Sequence, residues 1–142
     1  MCGINGIISS HITNGQQRLD AMNARLAHRG PDDNGTWHEG SAFLGQQRLS
    51  IIDLSTAGHQ PMVSACGRYV MVFNGEVFNF RQLRSQFNYP YVSHTDSEVV
   101  LAAWCQLDEK AVHLFKGMFA IAVWDKQTEV LTLVRDRTGV KP

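Results

Sequence analysis

The order in which apolar segments change their period limits the fold more than any other feature of this chain. "CGINGIIS" opens as a short β-rich run, and "GQQRLDAMNARLAH" then spaces Leu19, Met22 and Leu26 as one face of a helix. "RGPDDNG" is dense in turn residues. "TWHEG", "AFLGQQRLSII" and "RYVMVF" read as strands, the last preceded by a loop, "DLSTAGHQPM". "EVFNFRQLRSQF", "SEVVLAAWCQL" and "EKAVHLF" return to helical spacing. "MFAIAVWD" and "EVLTLVRD" close the chain as strands of a hairpin across "KQT". Strands, then helices, then strands predict an α+β layered fold with largely antiparallel sheet. With 142 residues, 44% of them hydrophobic, residues 1–142 suffice for one core and one domain.

Charge and cysteine usage narrow the classes further. Thirteen basic and thirteen acidic residues cancel, so nothing electrostatic points to nucleic acid or to an anionic membrane. No apolar run approaches the roughly 18 residues of a membrane helix. The first basic residue is Arg18, so no basic leader region opens the chain. Cys2, Cys66 and Cys105 are odd in number and far apart, which suits a reducing, cytoplasmic compartment rather than a disulfide framework. Six histidines lack ligand spacing, and no metal site is expected.

"MCGINGI" places a cysteine directly after the start methionine. If Met1 is removed, Cys2 carries a thiol and a free α-amine, a nucleophile and a base on one residue. A small buried hydrophobe in a strand is the competing reading, and position alone does not choose between them. An amide substrate with an amino-acid handle would need oxyanion donors, a cation for its carboxylate and an anion for its ammonium. "FNGEVF" offers the first: the Asn74 side chain and the Gly75 N–H could form an oxyanion hole. Asn-Gly is also the favoured hairpin turn, but the helical spacing after it weakens that reading. "QQRLSIID" offers Arg48, whose planar guanidinium suits a carboxylate, although a lone Arg reads more readily as a solvated strand end. In "HTDSEVV", Thr95 and Glu98 form a capping box before an apolar run. Asp96, in the first helical turn and not needed for the cap, is the candidate for the ammonium. "AHRGPDD" is explained by helix termination alone: cations in the last turn, then Gly30 and Pro31.

Taken in order, "MCGINGI", "HRGPD", "QRLSIID", "QP", "NGEVFNFRQLR", "TDSEVVL", "KGMFAIAVWD" and "RDRTGVKP" resemble the class II glutamine amidotransferase domains, a branch of the N-terminal-nucleophile hydrolases. "RLSIID" and "RDRTGVKP" look like the branch found at the N-terminus of glutamine-hydrolysing asparagine synthetases. The resemblance spans essentially the whole chain. It implies a four-layer αββα sandwich and a glutaminase half-reaction, in which Cys2 attacks the side-chain amide of L-glutamine and passes through a thioester. It further implies that Asn74 and Gly75 hold the oxyanion, that Arg48 anchors the carboxylate, and that Glu76 and Asp96 hold the α-amino group. The segment Leu49, Ser50, Ile51, Ile52 would line the pocket. It implies no cofactor in this domain; ATP and magnesium would serve a synthetase domain or subunit that receives the ammonia. That branch often forms homodimers.

The chain ends at Pro142, inside the last matching motif, so a truncated domain lacking its synthetase partner is expected. No nucleotide-binding loop is present. An inactive fragment, or a module that binds glutamine or regulates a partner without turnover, is the alternative to an enzyme. If Met1 stays on, the proposed base does not exist.

Overall fold

The computed structural model describes residues 2–142. Seven strands form two antiparallel sheets. The three-stranded sheet holds β1 (Gly3–Ile8), β2 (Asp33–Glu39) and β3 (Ala42–Arg48), in the order β1-β3-β2. The four-stranded sheet holds β4 (Met62–Val63), β5 (Tyr69–Val77), β6 (Gly117–Asp125) and β7 (Val130–Arg135), in that order. Helices α1 (Gly15–Arg25), α2 (Phe80–Arg84) and α3 (Asp96–Leu107) complete the set, with short 3-10 turns at Ala27–Arg29, Thr56–Gly58 and Asp108–Leu114. The α+β class expected from the segment order is observed.

Alternation along the strands decides what each sheet face touches. Ala42 and Leu44 of β3 meet Val70 and Val72 of β5 and Ala122 and Trp124 of β6 in a core between the sheets. The opposite face of β5 and β6 presents Tyr69, Met71, Phe73, Phe119, Ile121 and Val123 to α3, whose Val99, Val100, Leu101, Ala103 and Trp104 are buried against them. Helix α1 lies on the other face of the small sheet, where the Phe43 ring leaves no room for a side chain at position 15. That helix contradicts part of the expected stripe: Met22 is exposed. Leu19 is buried as expected, and Asn23 is buried in place of Met22. Asn23 carries the contact, donating to the carbonyls of Gly35 (3.1 Å) and Gln46 (3.4 Å) while accepting from Asn5 Nδ2 at 2.9 Å. A hydrophobic count misses a helix seated through a polar residue.

Three boundaries also differ from the sequence reading. The strand expected to run through "LSII" ends at Arg48. "RGPDDNG" was expected as turn throughout, yet Asp33, Asn34 and Gly35 belong to β2, because β3 is long enough to pair with them. The helix expected from Glu76 forms only over Phe80–Arg84, since Glu76 and Val77 pair with Met118 and Gly117 of β6. Asn79 then turns the chain, donating to the Leu114 carbonyl at 2.9 Å and accepting from Lys116 N–H at 3.0 Å. The two-residue β4 was missed altogether, being too short to show a period.

The start of α3 follows the capping logic with one change. Thr95 Oγ1 accepts from Glu98 N–H at 3.2 Å. Glu98 does not return to the Thr95 N–H; its carboxylate accepts from Val92 N–H (2.9 Å), Ser93 N–H (2.8 Å) and Ser93 Oγ (2.7 Å). It thus fastens the approach to the helix two to three residues further upstream. Glu98→Ala strands three donors, two of them buried, and is expected to cost about 3 kcal/mol of folding stability. Urea unfolding of the variant against the parent checks this.

Candidate functional site

A cavity of about 100 Å³ opens where the ends of β1, β3 and β5 meet the start of α3. Cys2, Arg48, Leu49, Ser50, Ile51, Ile52, Asn74, Gly75, Glu76 and Asp96 all line it. Every residue singled out for chemistry in the sequence is therefore brought to one place.

Cys2 immediately precedes β1. The Leu49 peptide grips its sulfur from both sides: Leu49 N–H donates to Sγ at 3.3 Å, and the thiol faces the Leu49 carbonyl at 3.7 Å. Arg29 Nη2 donates to the Cys2 carbonyl at 3.4 Å, so Arg29, explained in the sequence by helix termination alone, also holds Cys2. Met1, and with it the question of its removal, lies outside the described residues.

Asn74 and Gly75 were expected at a strand exit; they lie inside β5. Asn74 continues the row of Val70 and Val72 that faces the small sheet, and it is buried. Its side-chain amide has no hydrogen-bond partner among the described residues. The direction of the Gly75 N–H follows from pairing. Phe119, opposite Gly75, spends its N–H and C=O on Asp136, at 3.2 and 2.8 Å. Gly75 and Phe119 are thus a non-hydrogen-bonded pair, and the Gly75 N–H points away from β6. Its neighbours two residues either side point the same way and are occupied: Phe73 N–H by Gln60 Oε1 at 2.7 Å, Val77 N–H by Asp96 Oδ2 at 2.9 Å. For Gly75 the described residues supply no acceptor. The glycine itself is required by packing, not by the cavity: a Cβ there would lie 2.2 Å from the Met118 carbonyl oxygen.

Arg48 is buried. It donates to the Ser55 carbonyl (2.9 Å) and the Asp53 carbonyl (2.5 Å), holding the 49–58 loop in place. Gly58 lets the guanidinium through, since a Cβ there would lie 2.2 Å from Nη2. Among the described residues no carboxylate pairs with it. A guanidinium has five N–H donors, so most remain for an incoming anion. Within the loop, which lines the cavity, Ile51 is 73% exposed and Ile52 38% exposed.

Asp96 is not the idle carboxylate the sequence suggested. Oδ2 ties α3 to β5 through Val77 N–H, and Oδ1 accepts from Ser97 N–H at 2.9 Å. Burial pushes its pKa from 3.8 up to about 6, against those two bonds, and the nearby Glu76 charge adds to the rise. Glu76 is half-buried at the same rim.

Sequence reasoning missed four supporting groups. Gln60 and Gln46 clamp the Phe73 peptide from opposite ends, Gln46 Nε2 donating to the Phe73 carbonyl at 3.1 Å. Asp53 accepts from His94 N–H at 2.8 Å and so joins the loop to the approach of α3; the Ser55 and His94 bonds lower its pKa to about 2. Asp136 accepts from Phe119, Thr138, Val140 and Lys141 N–H, folding the "RDRTGVKP" segment so that Lys141 is buried at the cavity. Gln46 lies in β3 and Gln60 in the loop before β4, and neither position marks in sequence which remote backbone group its side-chain amide will reach.

The family of models that matches residues 1–142 is described as a glutamine amidotransferase domain. A putative glutamine-hydrolysing asparagine synthetase 2 of Methanocaldococcus jannaschii is 37% identical over 100% of this chain and 31% of its own length. Glutamine-hydrolysing asparagine synthetase 1 of Bacillus subtilis is 36% identical over 100% of the chain and 23% of its own. An amidase of Gibberella zeae is 33% identical over 99% of the chain and 23% of its own. The chain belongs to the glutamine amidotransferase domain family, with glutamine-hydrolysing asparagine synthetases among its relatives. It spans about a quarter to a third of those relatives' length. Among the described residues no helix is long and apolar enough to cross a membrane.

The raised Asp96 pKa has a consequence for stability. Between about pH 4 and 6 the folded chain keeps a proton that the unfolded chain has lost, so stability falls as pH rises through that window and levels off above it. The drop amounts to about 3 kcal/mol. Asp53 acts in the opposite sense, but its contribution is complete by about pH 4. Denaturant unfolding across this range is expected to show the fall in the parent chain and to lose it in Asp96→Asn.

Proposed function

We propose that this chain carries the glutaminase half-reaction of a glutamine-dependent amidotransferase. The observation that supports it most is the pairing of the Cys2 thiol with two free N–H donors, the Asn74 amide and the Gly75 peptide, at one cavity. In this reading Cys2, freed of Met1, gives its thiol proton to its own α-amine and attacks the side-chain carbonyl carbon of L-glutamine. The resulting oxyanion is held by Asn74 Nδ2 and Gly75 N–H. The carbon–nitrogen bond breaks as the amine returns a proton to the leaving nitrogen, and ammonia departs. Water then attacks the thioester on Cys2, releasing glutamate and restoring the thiol.

The handle of the substrate fits the remaining groups. Arg48 receives the α-carboxylate on the donors it does not spend on the loop. Glu76 and Asp96 receive the α-ammonium, and the Leu49–Ile52 backbone closes the wall. Asp96 must be ionised for this, and an ammonium beside it would stabilise that form. The two sheets with α1 on one outer face and α3 on the other support a four-layer αββα arrangement of the N-terminal-nucleophile type, as does the position of Cys2 at the start of a strand between those layers. The ammonia would pass to a synthetase domain or subunit like those of the relatives, where ATP and magnesium would act; this domain is proposed to need no cofactor. Asparagine synthesis is the assignment that the names of the relatives support; a cytoplasmic location and a homodimer are further parts of this proposal.

Cys2→Ala is expected to abolish ammonia release from glutamine. Asn74→Ala is expected to reduce kcat by about 10²- to 10³-fold, with a much smaller change in KM, since the oxyanion forms only in the transition state. Coupled glutamate-dehydrogenase assays of the two variants measure this. Turnover that survives Cys2→Ala contradicts the mechanism. Calorimetric glutamine binding without turnover in the parent chain would leave the binding-module reading in its place.

Arg48→Lys keeps the charge but loses the fork that holds the Asp53 and Ser55 carbonyls. Its KM for glutamine is expected to rise by about tenfold or more, the loss of one bidentate charge-assisted contact. A KM unchanged in this variant would remove Arg48 from the carboxylate site.

A further inference from the structure

Cys66 and Cys105 lie far apart in sequence and remote from the cavity, yet the fold brings them together. Cys66 sits in the turn between β4 and β5, closed by Gly67 N–H to the Ser64 carbonyl at 2.8 Å, and it is exposed. Cys105 is in the last turn of α3, half-buried, and packs against the main core. Two bonds pin that end of α3 and the turn to one connecting segment: Ala65 N–H donates to the Tyr89 hydroxyl at 2.8 Å, and Gln106 Nε2 donates to the Asn88 carbonyl at 3.2 Å. Ser64 Oγ is 3.3 Å from Cys66 Sγ, and the Cys66 and Cys105 thiols lie near enough for each to influence the ionisation of the other.

We propose that Cys66 and Cys105 form a reactive thiol pair, in which Cys66 exchanges with small-molecule disulfides such as oxidised glutathione and Cys105 closes the exchange to an internal disulfide. The chemistry is separate from that at Cys2 and does not depend on the glutaminase reading. The first step is attack of the Cys66 thiolate on one sulfur of the small disulfide. Its S–S bond breaks, a mixed disulfide forms on Cys66, and one thiol leaves. In the second step Cys105, as thiolate, attacks Cys66 Sγ and expels the other thiol. The protein loses two hydrogens and two electrons, and the small disulfide becomes two thiols.

The surroundings set the order of the steps. Ser64 Oγ accepts from Tyr69 N–H at 3.0 Å, which leaves its hydroxyl proton free to point at sulfur. The Ser64 hydroxyl and the Arg68 N–H hold the Cys66 thiol below its ordinary pKa. Burial pushes the Cys105 thiol up to about 12, and the neighbouring Cys66 adds to that rise. Cys66 is thus the exposed attacking thiol. Its capture as a mixed disulfide removes the negative neighbour that helps keep Cys105 protonated. The closed bond would join the β4–β5 turn to the last turn of α3, away from the cavity.

The test is exposure of the full chain to oxidised glutathione near neutral pH, followed by an acid quench, alkylation and peptide mapping. The parent chain is expected to lose the mass of two hydrogens at a Cys66–Cys105 cross-link. Cys105→Ser should stop at a glutathione adduct on Cys66, Cys66→Ser should leave Cys105 free to be alkylated, and Ser64→Ala should slow adduct formation at Cys66 several-fold. In the reduced parent, Cys66 should alkylate at least about tenfold faster than Cys105. The proposal is overturned if both residues remain alkylatable while an unstructured cysteine peptide in the same tube is oxidised. A permanent adduct on Cys66 in the parent chain, or modification of Cys105 in Cys66→Ser, overturns it equally. The parent chain decides the matter should a variant fail to fold.

Discussion

Strand β5 is paired along one edge for its whole length, and along the other for two residues only, where β4 meets Val70 and Met71. Beyond that point its outward N–H groups must find partners elsewhere, because an unpaired donor in a buried edge is costly. Two find side chains, Gln60 for Phe73 and Asp96 for Val77. The one between them, on Gly75, is left for whatever enters the cavity. The rest of the site depends on that spacing: the two clamps on either side fix the strand, so the free donor and the Asn74 amide are held in place before any ligand arrives. Such preorganised donors are what stabilises developing charge without reorganisation during reaction.

The charges around this edge are arranged with the same economy. Arg48 is buried against backbone carbonyls instead of a carboxylate, which leaves it attractive to an incoming anion. Asp96 and Glu76 line the same cavity, and burial, with the Glu76 charge added to it, raises Asp96. A cation placed between them relieves both penalties. In the proposed function, the pocket thereby offers both a cation and anions to a zwitterionic substrate. Asp96 is at once part of that wall and the bond that fixes α3 to β5, so its structural and electrostatic roles cannot be separated by inspecting either alone.

Much of this was legible in the sequence, for identifiable reasons. Cys2 is marked by position, Thr95 and Glu98 by capping chemistry, and the strands of β6 and β7 by their period and hairpin. The order of segments gave the α+β class, and the residues that the motifs assigned to the site all line the cavity, beside others such as Asp53, Gln60 and Lys141 that they did not assign. What was not legible depends on pairing and on buried polar contacts. Asn74 and Gly75 look like a turn because Asn-Gly is one locally; only the long partner strand β6 keeps them extended. Gln46, Gln60 and Asn23 act through hydrogen bonds whose partners are remote in sequence. Asp96 seemed free because its second partner, Val77, is on another element. Asp136 organises the last residues through backbone donors that carry no sequence signature.

The claim that a free N-terminal cysteine works beside the open edge of β5 is tested most directly by intact-mass analysis before and after treatment with a diazo-ketone analogue of glutamine. The account predicts a chain lacking Met1 that gains one adduct, mapped to Cys2, with excess glutamine slowing the labelling. A folded chain that has lost Met1 and yet takes no adduct, or takes it at another residue, would contradict it.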